Sequence, residues 1–151
     1  MFEHITVAVD GSPHADLALT HALDLAKRYG SELTILAVAP LVPIYVATAE
    51  PYVPTELVES EGKYYRGVAD AAVARAQKEG LGKVTGVCLE GVIVDEILGF
   101  IERHPTELLV MGSRGLSTAK RLLLGSVSEA VLHHVGCPVL IVRGPSPTAK
   151  S

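Results

Sequence analysis

With 151 residues, 48% of them hydrophobic and 20% charged, the chain has enough material for one ordinary core and no apolar run long enough to cross a bilayer. A formal charge of −4 argues against a nucleic-acid binder, which needs a basic face to displace counterions from phosphates. The first residues, Met1-Phe2-Glu3-His4, lack the basic and then apolar regions of an export signal, so a cytoplasmic protein with neither membrane nor nucleic acid as partner is expected.

In chain order, HITVAVD (residues 4 to 10) is a short apolar run rich in β-branched side chains and reads as a buried strand. A helix follows, with Ser12 as N-cap, Pro13 as its first residue, Asp16 in the first turn, Lys27 and Arg28 near the end, and Gly30 as its stop. Its inward stripe is expected at Leu17, Ala22, Leu23, Leu25 and Ala26. ELTILAVAP (32 to 40) is a second strand, and Pro43, Pro51 and Pro54 make the next stretch an irregular connection. Thr55 to Lys78 suits a helix capped by Thr55 or a neighbour. Then come KVTGVCLEG as a strand, VIVDEILGFIERH as a helix, TELLVMG as a strand, GSVSEAVLHHVG as a helix and CPVLIVRG as a strand. The polar tail PSPTAKS, residues 145 to 151, is expected to be disordered.

Five apolar strands alternating with four helices give an open, doubly wound α/β fold, a parallel sheet with helices on both faces, as one domain over residues 1 to 144. Right-handed crossovers leave few strand orders. With order 3-2-1-4-5, Asp10-Gly11-Ser12 and Met111-Gly112-Ser113 converge at the carboxyl edge of the sheet, where such folds take their ligands.

The side chains of common metal sites are poorly placed for one. Cys88 and Cys137 have neither zinc nor CxxC spacing and read as buried free thiols. His133 and His134 are adjacent, which on a helix points them about 100° apart and prevents them from facing one ion. No metal site is expected.

The glycines are more informative. Gly112 and Gly115 permit a tight turn with positive φ and close backbone approach to a ligand. Gly125 and Ser126 stand just before a helix whose free N–H groups form an anion site. Neither GxxxxGK[ST] nor GxGxxG occurs. Ser126 and Glu129 also have the spacing of a capping box, which stabilises a helix with no ligand, so turn-and-cap and phosphate cradle stand side by side on the residues alone.

The spacing G-x2-G-x9-G-[ST], filled by Gly112, Gly115, Gly125 and Ser126, resembles the ATP-binding signature of the universal stress protein family. VAVDGS, LLVMGSRG and GSVSEAVLHHVGCPVLIVR follow that family's pattern in order over nearly the whole chain. The resemblance implies the same strand order and a Rossmann-like site for ATP, with or without magnesium. It implies Asp10, with Ala8 and Val9, at the adenosine end, and the Val38 backbone at the adenine ring. Met111 and Gly112 would line the ribose and phosphate side, Gly115 would pass close to the phosphates, and Gly125, Ser126 and Val127 would hold the terminal ones. Thr106-Glu107 departs from the common Ala-Asp, and Ala37 from a common histidine, without removing a ligand donor. Arg114, Lys120 and Arg121 add positive charge, and at least one of them is expected near the phosphates.

Fast phosphoryl transfer needs a positioned base, charge clamps and usually a held metal. Asp10 lies at the wrong end for a γ-phosphate base, and no GxSxG elbow occurs, so no catalytic residue is assigned. The reading is an ATP-binding stress or signalling protein with at most slow hydrolysis or autophosphorylation. The alternatives are an ATP-consuming adenylating or phosphoryl-transfer enzyme, with the region from Pro40 to Pro54 as acceptor pocket, and an interaction scaffold with a vestigial site. The apolar fifth strand, PVLIVR, is expected at the sheet edge and implies a homodimer there, as the family commonly forms. Val42 to Glu59 is the least readable stretch and a candidate flap over the site.

Overall fold

The computed structural model describes residues 1–41, 54–114 and 124–144. They form β1 (His4–Ala8), α1 (Pro13–Tyr29), β2 (Glu32–Pro40), α2 (Thr55–Lys78), β3 (Val84–Gly91), α3 (Ile93–Arg103), β4 (Leu108–Gly112), α4 (Ser126–His134) and β5 (Val139–Val142). The sheet is wholly parallel, as the alternating pattern predicts, and its order is β3-β2-β1-β4-β5, as the family resemblance implies. Gly115, Lys120, Arg121, the tail and most of the expected flap lie outside the described residues.

Local chemistry fixes α1 at both ends. Ser12 Oγ accepts the Ala15 N–H at 3.2 Å, Pro13 opens the helix, and Gly30 closes it at φ 66°, a left-handed conformation glycine adopts without strain. The stripe it buries is Ala15, Ala18, Leu19, Ala22, Leu23 and Ala26. Leu17 and Leu25, expected inside, only flank this core, because the small alanines let the helix lie close over β1 and β4.

Alternate strand residues serve the two faces. Ile5, Val7, Ile35 and Val110 pack under α1 and α2, while Leu36, Leu109 and Met111 meet Ile97, Phe100 and Val131 of α3 and α4. Each fully buried aliphatic side chain is worth about 1.5–3 kcal/mol.

Several boundaries differ from expectation. β1 ends at Ala8 rather than Asp10. Val9 still donates to the Leu36 carbonyl at 2.9 Å, but Asp10 turns back to accept the Ser12 N–H on Oδ1 at 2.9 Å, which ends the ladder. β4 begins at Leu108 and β5 spans only Val139–Val142. The N-cap of α2 is Pro54, the neighbour of Thr55, and it supplies no side-chain bond. Cys88 and Cys137 are half-buried rather than buried, and the burial they have pushes both thiols up in pKa. Among the described residues, no helix is long and apolar enough to cross a membrane.

Candidate functional site

β2 continues four residues past the level of Ala8, its pairing partner Leu36 being followed by Ala37, Val38, Ala39 and Pro40. This overhang, with the exits of β1 and β4 beside it, opens a cavity of about 280 Å³ at the carboxyl edge of the sheet. Its lining includes Ala8, Val9, Asp10, Val38, Met111, Gly112, Arg114, Gly125, Ser126 and Val127. Gly115, the remaining residue of the sequence-derived set, lies outside the described residues.

One wall is apolar. Leu36, Val38 and Met111 belong to the cluster beneath α3 and α4, and Ile93 and Ile97 add two side chains one helical turn apart. On the side of β1 stands Asp10. Its carbonyl accepts the Tyr64 hydroxyl at 3.3 Å, and the buried Tyr65 lines the cavity next to it. Gly11, between Asp10 and the Ser12 cap, has φ 85°, and the Tyr64 hydroxyl fills the space a Cβ would need. Burial, and behind it the negative field of Glu61 and Asp10, holds the Tyr65 phenol protonated to higher pH than usual.

The third side is built by β4 and α4. Ser113 donates to the Val142 carbonyl at 2.9 Å, and Gly125 donates to the Ser113 carbonyl at 2.6 Å, so the glycine-rich segment starts and finishes at one place. Gly125 is the N-cap of α4, with φ −63° and ψ 156°, and Ser126 is the first helical residue. The expected capping box therefore does not form. Glu129 instead donates its N–H to the Gly125 carbonyl at 3.0 Å, and no side chain of the described residues caps the helix. The first-turn amides of Ser126, Val127 and Ser128 find no acceptor among the described residues and keep the partial positive charge of a helix N-terminus. Ser128 Oγ donates to the Gly112 carbonyl at 2.8 Å, which seats this turn against β4.

Gly112 is needed for a different reason from the one its spacing suggests. Among the described residues the positive-φ glycines are Gly11, Gly30, Gly80 and Gly91, and Gly112 is not one of them. A Cβ there would lie 2.8 Å from the His14 carbonyl carbon and 2.9 Å from its oxygen, so the glycine lets α1 close on β4. Arg114, two residues on, sets Nη2 at 3.1 Å from His14 Nε2.

Sequence reasoning missed Leu36, Pro40, Tyr65, Ile93, Ile97, Ala15 and Ser128 as lining residues. The four-residue interval of Ile93 and Ile97 marks a buried stripe, but nothing in it says that the stripe ends at an opening. Among the described residues, the one group of three possible metal ligands is Glu3, His4 and Glu107, at the opposite, amino edge of the sheet. There the Glu107 carboxylate is already engaged by the N–H groups of Glu3 and His4, at 2.8 and 3.1 Å.

A family model described as the universal stress protein family matches residues 1–143. Universal stress protein MJ0531 of Methanocaldococcus jannaschii is 33% identical over 147 residues, spanning 96% of this chain and 84% of that protein. Universal stress protein YxiE of Bacillus subtilis is 35% identical over 149 residues, 95% of this chain and 100% of its own. Among solved structures, a universal stress protein in complex with cAMP superposes with a TM-score of 0.69 at 25% identity, covering 94% of this chain and 97% of that one.

Proposed function

The chain belongs to the universal stress protein family, and from that premise we propose that it binds ATP, with or without magnesium, in the carboxyl-edge cavity and signals by its occupancy. The observation that carries this reading is the joining, in one cavity, of an apolar wall to an uncapped helix N-terminus and a guanidinium. An adenine ring suits the wall of Val38, Leu36, Ile93 and Ile97, and an adenine-nucleotide ligand is in keeping with the cAMP bound by the solved relative. Asp10 has one carboxylate oxygen on the Ser12 N–H and another for a ribose hydroxyl or a divalent ion. The amides of Ser126 and Val127, the Ser126 hydroxyl and Arg114 suit phosphate oxygens, which accept strong charge-assisted hydrogen bonds.

Residues 1 to 144 act in this reading as one nucleotide-binding domain in the cytoplasm. Turnover is slow at most, because Asp10 is the one acid among the described lining residues and this reading sets it at the adenosine end. A homodimer pairs through the β5 edge.

Freshly purified protein should release near-stoichiometric ATP when denatured, identified by chromatography and mass. Protein that emerges empty and gains no thermal stability from millimolar ATP would instead be a scaffold. Multiple-turnover release of ADP or AMP at about one per second or faster would make it an ATP-consuming enzyme.

A further inference from the structure

His14, the second residue of α1, reaches from the helix N-terminus to the exits of both β4 and β5. A Cβ on Gly144 would fall 2.7 Å from His14 Nε2 and 3.1 and 3.2 Å from the neighbouring ring carbons, so the imidazole rests against bare backbone. Gly112 closes on the main chain of the same residue. The ring is thus held in place, and its Nε2 faces Arg114 Nη2 at 3.1 Å. A guanidinium has donors and no acceptor. In this contact Nε2 must carry the lone pair, which requires a neutral ring with its proton on Nδ1.

We propose that His14 is the positioning residue for Arg114: its neutral ring holds the guanidinium on the cavity wall to meet the phosphates of a bound nucleotide, and protonation of the ring releases it. The proposal rests on the nucleotide reading above. A protonated ring has no lone pair at Nε2 and places two cations side by side, so the contact turns from attractive to repulsive. The charge gained by His14 is no substitute for Arg114, because Arg114 lines the cavity and His14 does not.

The charged groups around the ring favour the neutral form. From the exit of β4 it faces Arg114, from the exit of β1 the Asp10 carboxylate, and from β5 the uncharged Gly144. Burial, then the Arg114 charge, hold the His14 pKa below its ordinary value, with Asp10 opposing both. The folded pKa lies below the unfolded one, so the neutral, Arg114-holding state is complete above the ordinary histidine range and is lost as pH falls through the folded value.

The test uses the full chain. Calorimetry measures ATP and adenosine affinity between about pH 8 and about pH 5.5, and NMR follows the His14 ring without added nucleotide. In the wild type, ATP affinity should fall about tenfold on acidification while adenosine affinity stays level, since one charged hydrogen bond is at stake. His14→Ala should lose about as much at neutral pH, and His14→Gln, whose amide oxygen accepts without titrating, should restore most of it and flatten the profile. His14→Gln also separates the ring from the titration of the nucleotide's own phosphates. Arg114→Ala should raise the His14 pKa. A His14→Gln profile that matches the wild type, or a His14 titration unmoved by Arg114→Ala, overturns the proposal with the nucleotide reading intact. A wild type that binds neither ATP nor adenosine overturns both.

Discussion

The Ser128 hydroxyl donates to the Gly112 carbonyl over 2.8 Å in a buried contact that ties the first turn of α4 to the last residue of β4. Deleting the hydroxyl leaves that carbonyl one partner short inside the protein. Ser128→Ala should therefore cost about 1–3 kcal/mol in urea denaturation. It should also weaken ATP binding several-fold more than adenosine binding, because the turn it seats presents the amides of Ser126 and Val127.

Gly112→Ala meets the backbone of α1 and not a yielding side chain, with the new Cβ 2.8 Å from the His14 carbonyl carbon. Either α1 slides or β4 bends, and both disturb a packed core. A loss of about 1–3 kcal/mol is expected, read as a lower urea midpoint with an unchanged slope. A loss under about 0.5 kcal/mol would mean that the helix rides freely over the strand.

Asp10→Asn separates fold from binding at one position. The amide oxygen still accepts the Ser12 N–H, so the turn into α1 survives and thermal stability should hold. What disappears is the charge beside the expected sugar. Adenosine affinity should fall about tenfold by calorimetry, and an unchanged affinity would move the nucleoside away from Asp10.

At the other edge of the sheet, Glu107 joins the N-terminus to the start of β4. The N–H of Glu3 holds its carboxyl below the usual glutamate range, with burial opposing it and the N–H of His4 adding a lesser pull in the same direction. The folded pKa lies below the unfolded one, so this contribution is complete above the ordinary glutamate range and is lost as pH falls through the folded value. The urea midpoint followed from about pH 6 to about pH 3 should decline less steeply in Glu107→Gln than in the wild type.

Among the described residues β5 pairs with β4 alone and leaves Val139, Leu140 and Ile141 half-buried at the sheet edge. Sedimentation at micromolar concentration should find a dimer. A monomer there would leave this edge to some other cover.

How much of this was legible in the sequence depends on whether its cause is local. Ser12, Pro13 and Gly30 act on their own neighbours, and α1 runs where they place it. The meeting of the β1 and β4 exits was legible too, since it follows from strand order. The start of α4 was not: the Gly125 amide is bound by Ser113 across the segment between them, and that distant bond makes Gly125 the cap and displaces Ser126 inward by one residue. Nor could periodicity foretell the contact of His14 with Arg114, which joins positions 100 residues apart. Tyr65 reads as an ordinary core position of α2, and only the packing of that helix beside Asp10 turns it toward the cavity.

Because the Gly125 amide closes on the Ser113 carbonyl, the cap of α4 and the exit of β4 are joined directly, main chain to main chain. A nucleotide that pulled on the cap of α4 would therefore pull on the sheet itself, and occupancy of the cavity could be felt at β4 without any side chain as go-between.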